Sequence, residues 1–274
     1  MKTNAFYYLK TLAAALFIVA PVPAQETAAT TGEVAKSPDE TKAEAAETKP
    51  ETWVDTYDAL LQKYVASSGV KYAKWHRDAT DRAELKKVID AISTVSLKGQ
   101  TRDEKLAFLL NAYNAWILHR ILQDYPTKGP GGGGLFGRNS FFKSKNIRIG
   151  GATMSFHQLE NDVIRPKFRE PRIHFALNCA SRSCPPLHTR AFRGETLDAV
   201  LTGLAKAFIN ENPNGVIATK GGKKLRVSKI FDWYGEDFPG GVVAYLNQYR
   251  GKNRFPAKAK VSFQDYNWAL NETK

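Results

Sequence analysis

Residues 103–125, DEKLAFLLNAYNAWILHRILQDY, constrain the fold more than any other stretch of this chain. Periodicity predicts a helix here, and its apolar residues fall on nearly every side, so it has to lie inside a core. Thr101 and Glu104 stand at capping-box spacing and start it at Arg102, while Pro126 stops it near Tyr125. Such an element needs others to cover it. Apolar residues at helical spacing predict helices over residues 53–64 and 82–92, and further ones over 155–164, 195–210, 228–234 and 241–249. Strands are predicted at 146–149, 172–177, 215–218 and 225–227, and residues 129–139 (GPGGGGLFGRN) read as a flexible loop. The order contains no strand–helix–strand repeat. The expected fold class is therefore α+β, a single helix-rich domain over residues 51–274 with a small, mainly antiparallel sheet.

Two segments of different character precede that domain. Lys2 and Lys10 give a positive start, and residues 11–20 (TLAAALFIVA) are apolar. Pro21 and Pro23 end this run short of the ~20 residues that a membrane span needs. Val22-Pro23-Ala24 supplies a small-residue cleavage pattern, so residues 1–24 read as a cleavable signal peptide. A periplasmic or secreted protein is expected, with no transmembrane segment after cleavage. Residues 25–50 hold no aromatic residue and read as a disordered, low-complexity tether.

The formal net charge is +13, which suits contact with an anionic envelope polymer or lipid head groups. Export argues against a nucleic-acid partner. Two cysteines rule out a disulfide-framework mini-protein and a multi-site zinc protein. No G-x-S-x-G, H-E-x-x-H, phosphate-cradling or dinucleotide-binding motif is present, and no cofactor or metal is expected.

On the long helix, Asn111 and Asn114 sit on or beside an apolar face and must find partners, either tying down backbone or lining a site beneath. Tyr113 and His119 raise the same question. The most informative stretch is residues 171–187, PRIHFALNCASRSCPPL. Alternation predicts a strand ending near Asn178, with Cys179 at the strand-to-turn junction, facing turn amides near Ser183 that would stabilise a thiolate or oxyanion. Three readings stay open: a Cys179–Cys184 disulfide, a reactive Cys179, or metal binding with His174 and His188 at a spacing that matches no usual zinc pattern. A nucleophile needs a base. His174 lies ~16 Å from Cys179 along an extended strand, at ~3.3 Å per residue, and on the opposite face. His119 or His157 would instead reach in from another element, with Glu160 or Asn114 as orienting group. Lys143, Lys145 and Arg148 follow the glycine loop beside Phe141 and Phe142, an arrangement able to hold a polyanion by charge and stacking.

The segments LAFLLNAYNAWILHRIL, MSFHQLENDVIRPKF, PRIHFALNCASRSCPPL and VSKIFDWYGEDF, in this order, resemble the domain of unknown function 547 family over about residues 106–238. The family has no established reaction, so the resemblance implies placement more than chemistry. It implies that Asn111, Asn114, His119, Glu160, His174 and Cys179 are family positions. The second cysteine is less constant among relatives, which weighs against an essential disulfide, and His157 stands where an acidic residue is usual. Two functions are expected from these observations. One is a thiol-dependent hydrolase or transferase acting on an envelope amide or ester, with Cys179 as nucleophile, His119 as base, and His174, Glu160 and Asn114 in support. The other is a non-catalytic envelope binding module with a structural Cys179–Cys184 disulfide and a basic face that includes Asn111, Lys143, Lys145 and Arg148.

Overall fold

Apolar periodicity, caps and glycine placement build the elements of a computed structural model that describes residues 52–274. The expected signal peptide and tether lie outside the described residues. Helix α1 (Trp53–Tyr64) begins with reciprocal hydrogen bonds between Thr52 and Asp55. A two-residue hairpin, β1 (Val65–Ala66) with β2 (Gly69–Val70), turns the chain into α2 (Tyr72–Arg77), whose Trp75 stacks on Tyr64 at 4.5 Å. Helix α3 (Ala79–Thr94) is capped by Asp78 and lies between α1 and α4.

The central element is α4 (Arg102–Gln123). Its capping box forms as the spacing predicts: Glu104 N–H donates to Thr101 Oγ1 at 3.2 Å, and Thr101 N–H to Glu104 Oε2 at 2.7 Å. Every side chain from Leu106 to Ala115 is buried. An all-round apolar helix is stable only when covered on all sides, and α1, α3 and the following hairpin and helices cover it.

The glycine-rich stretch is a correction. Instead of a flexible loop, residues Pro130–Gly133 make a tight turn, with Gly131 and Gly132 at φ of 60° and 75°, that leads into α5 (Leu135–Lys143). The reason is contact rather than freedom. Gly131 and Gly137 press backbone to backbone so closely that a Cβ on either would collide with the other. Hairpin β3 (Ile147–Ile149) with β4 (Ala152–Met154) follows, and then a continuous helical stretch. It begins as α6 (Phe156–Gln158), widens to a π-helical segment over Leu159–Ile164, and ends as α7 (Arg165–Phe168).

Helix α8 (Leu197–Asn210) leads to a three-stranded sheet. In it β5 (Val216–Ala218) pairs antiparallel with β6 (Lys224–Val227), and β6 pairs parallel with β7 (Lys260–Phe263). Helices α9 (Ile230–Trp233) and α10 (Val242–Gln248) lie between β6 and β7 in sequence. The fold is α+β, helix-rich with small sheets. Its apolar interior has two parts, one around α4 and one around Phe175, Phe208, Phe231 and Tyr245. Residues 173–177 join them, because Ile173 belongs to the first part and Phe175 to the second. Among the described residues no helix is long and apolar enough to cross a membrane.

Candidate active site

The strand expected at 172–177 is instead a 3-10 turn over Pro171–Phe175. Pro171 starts it, with φ preset and no N–H to leave unpaired. Glu170 caps it, accepting from Arg172 N–H at 3.2 Å and holding the Arg172 guanidinium at 2.6–2.7 Å. A 3-10 turn rises ~2 Å per residue rather than ~3.3 Å. The ~16 Å separation that set His174 apart from Cys179 therefore does not arise, and both line one cavity.

Local side-chain bonds fix the turn that carries the thiol. Asn178 Oδ1 accepts from Ala180 N–H at 2.9 Å, and Asn178 Nδ2 donates to Pro185 O at 2.8 Å. Ala180 is fully buried with φ of 60°, a left-handed conformation that costs an L-residue roughly 1–2 kcal/mol. Its carbonyl accepts from Asn271 N–H at 3.1 Å, so the C-terminal segment helps to hold this turn. From α4, Asn114 donates to Ala176 O at 2.9 Å and accepts from Asn178 N–H at 2.9 Å. Asn114 thus ties down backbone and braces the thiol turn in one act. Asn111 makes the matching pair of bonds to Phe192, away from the thiol, and has no place in a basic binding face.

Cys179 Sγ lies 3.1 Å from Tyr266 Oη, and Cys179 N–H donates to Cys184 Sγ at 3.0 Å. Burial pushes the Cys179 thiol up, but hydrogen bonds from Cys184, Ser181 and Tyr266 outweigh it and bring it down to about 7. Cys184 moves the other way, well above an ordinary thiol, because it is buried beside Cys179. Both cysteines are free. The expected oxyanion donor shifts as well. Ser183 N–H is already given to Asn267 O at 3.2 Å, whereas the backbone N–H and hydroxyl of the buried Ser181 face Cys179.

His174 is buried, and its Nε2 donates to Asp237 Oδ2 at 2.7 Å, which leaves Nδ1 as the basic nitrogen. Asp237 in turn accepts from Arg165 Nε at 2.6 Å and Nη2 at 3.0 Å. Tyr234 stacks on the imidazole with ring centres 4.1 Å apart. The π-helical segment adds one residue to its turn, and from it Glu160 and Asn161 line the same cavity. That cavity has a volume of about 220 Å³ and is walled by Tyr113, Leu177, Trp233, Tyr234, Tyr266 and Trp268.

Of the candidates read from sequence, the fold brings Cys179, Cys184, His174, Glu160, Tyr113, Phe142 and the exposed His157 to this cavity. It does not bring His119, the expected base. His119 faces the edge of Trp116 at 5.6 Å and the charges of Lys86 and Asp90 on α3, so His174 stands where His119 was expected. His188 bonds to Arg190 O and is also elsewhere, and among the described residues no group of three or more His, Cys, Asp or Glu could hold a metal ion. Lys143, Lys145 and Arg148 are exposed, but Phe141 is buried against Phe156 and cannot stack on a ligand beside them. Asp237, Arg165, Tyr234, Tyr266 and Trp268 were not singled out. Tyr234 and Asp237 lie in VSKIFDWYGEDF, where an aromatic and a carboxylate next to a short helix are the only signal.

The family model described as "Protein of unknown function, DUF547" matches residues 97–209, a span that contains Asn111, Asn114, Glu160, His174 and Cys179 but ends before Tyr234 and Asp237. No curated protein and no solved structure matches.

Proposed function

We propose, for a chain whose residues 97–209 match the model of the DUF547 family of unknown function, a thiol-dependent acyl transfer on an amide or ester at the site its residues build. One observation carries this reading: a thiol brought down to about 7 lines the same cavity as a buried histidine held at 2.7 Å by a carboxylate. Cys179 gives its proton to His174 Nδ1 and its Sγ attacks the carbonyl carbon, forming C–S while the π pair moves to oxygen. Donors beside the sulfur, Ser181 N–H and Tyr266 hydroxyl, accept the new charge. Collapse restores C=O and expels the amine or alcohol, which takes a proton from the His174 imidazolium. Water then adds to the thioester, giving its proton to His174, and the acid leaves as the thiol is restored; an amine in place of water makes the enzyme a transferase. Asp237 keeps the imidazole in one tautomer throughout, with Arg165 holding Asp237. The N-terminal sequence, read as an export signal, supports an envelope substrate for this reaction.

A second reading draws on the closeness of the two cysteines. A Cys179–Cys184 disulfide would make this a binding module, with Lys143, Lys145 and Arg148 meeting anionic envelope polymers or lipid head groups. One experiment separates the two. The mature protein is treated with p-nitrophenyl acetate without reductant and weighed intact. Acylation requires one acetyl group on Cys179, absent in Cys179→Ser. A protein two protons light that takes no acetyl group supports the disulfide and defeats the acyl-transfer reading.

A further inference from the structure

The chain carries a formal charge of +13, yet the cavity beside Cys179 has the opposite character. No lysine or arginine lines it, and Glu160 is the sole acidic residue doing so among the described residues. Tyr234 and Glu160 line it side by side, and the carboxylate is close enough to help push the Tyr234 hydroxyl well above its ordinary value. The aromatic wall is continuous. Tyr266 and Trp268 pack with ring centres 4.6 Å apart, Trp233 stacks on Trp268 at 5.7 Å, and Trp233 leaves 44% of its surface exposed. The face of an aromatic ring is electron-rich and attracts cations, most strongly for tryptophan. This wall already does so at its rim, where the Arg138 guanidinium sits 4.3 Å above the Trp268 ring.

We propose that the cavity selects substrates carrying an organic cation, an ammonium or guanidinium group held between the Trp233–Tyr266–Trp268 wall and the Glu160 carboxylate, close to the carbonyl that Cys179 attacks. The inference rests on the acyl-transfer reading for its chemistry and names the substrate class of that same site. A carboxylate alone would be a weak clue. Here it is joined by three packed aromatic rings, a cation already resting on one of them, and a lining without lysine or arginine among the described residues. Anionic polymers, which the net charge attracts to the outside of the protein, are not what this cavity accommodates. The two charge patterns divide the work: the basic exterior meets an anionic surface, and the cavity takes a cationic group from it.

The test measures how fast Cys179 is modified in the full-length, reduced protein by three methanethiosulfonates, one neutral, one bearing trimethylammonium and one bearing sulfonate. Peptide mapping locates the label, and each rate is divided by that of a small thiol in solution. The proposal requires the cationic reagent to outpace the anionic one by about tenfold, against the sense of the net charge. Glu160→Gln and Trp268→Leu must each shrink that ratio toward one, with the cationic and anionic rates compared within each variant and its far-ultraviolet circular dichroism matching the parent's. Butyltrimethylammonium and butylguanidinium should each slow the neutral reagent where butanesulfonate does not, and their relative protection tells ammonium from guanidinium. Rapid neutral labelling with no charge preference overturns the cation inference alone. Failure of all three reagents to label Cys179 overturns the nucleophile reading, and the inference falls with it.

Discussion

His174 Nε2 and Asp237 Oδ2 meet at 2.7 Å across 63 positions of sequence, and the two oxygens of that carboxylate also hold Arg165 at 2.6 and 3.0 Å. One carboxylate therefore anchors a histidine from the 3-10 turn and an arginine from the end of the widened helix. Burial opposes the charge on Asp237, but His174 and Arg165 outweigh it and hold the carboxyl well below the usual carboxylate range. A depressed carboxyl adds stability that is present above its unfolded value near 4 and lost as pH falls through the folded value. Asp237→Asn should lower the melting temperature at neutral pH, with the gap to the parent closing at acid pH. A gap that stays constant from pH 7 to pH 3 would show that the ion pairs contribute nothing.

Tyr266 acts on the thiol directly. Its hydroxyl is one of the hydrogen bonds that bring Cys179 below an ordinary thiol, after Cys184 and Ser181. Tyr266→Phe removes that bond and keeps the ring, so the pH midpoint of iodoacetamide labelling should move up and the rate at pH 7 should fall several-fold. An unchanged midpoint would mean that the hydroxyl does not stabilise the thiolate.

The two helix asparagines make a matched pair with different consequences. Each satisfies one backbone N–H and one C=O in the interior, so each change to alanine orphans two buried groups at roughly 1–3 kcal/mol apiece. Both variants should melt earlier. Labelling of Cys179 should change in Asn114→Ala, which frees Asn178, and stay as it is in Asn111→Ala. Equal effects on labelling would deny Asn114 its bracing role.

His119 is held down to about 4, first by burial and then by the positive charges of Lys86 and Arg120, while Asp90 opposes this. Between about 4 and its unfolded value near 6.5 the unfolded chain binds more protons than the folded one, so stability rises with pH across that window and is lost on acidification. His119→Gln should flatten the slope of melting temperature against pH there. Labelling of Cys179 should not move, because His119 does not line the cavity. A loss of labelling would return His119 to the site.

The fold was legible where one residue type dictates one local outcome. The Thr101–Glu104 cap and the apolar surround fixed α4 to within two residues at its far end, and α1 spans the predicted residues. Reading failed where local bonding overrode a pattern. Ile173, Phe175 and Leu177 alternate as in a strand, but Pro171 and the Glu170–Arg172 pair close a 3-10 turn instead. The glycines of 129–137 read as freedom, whereas two of them are there for close approach. For the site, Cys179 was visible as a thiol at a turn. Its partners were not, because Asp237 and Tyr266 lie 58 and 87 residues downstream and no spacing rule links them to it.

Residues 266–272 close the site from far along the chain: Tyr266 meets Cys179, Asn271 bonds to Asn178 and to the Ala180 carbonyl, and Glu272 accepts from Tyr125 at 2.7 Å. This sets an order of assembly. While the chain is being made, Cys179 emerges 87 residues before Tyr266, and until both are in place that hydrogen bond is absent. The share of its tuning that comes from Tyr266 can arrive only when this segment docks. Refolding followed by rapid alkylation should show labelling at pH 7 accelerating in the final phase rather than with helix formation.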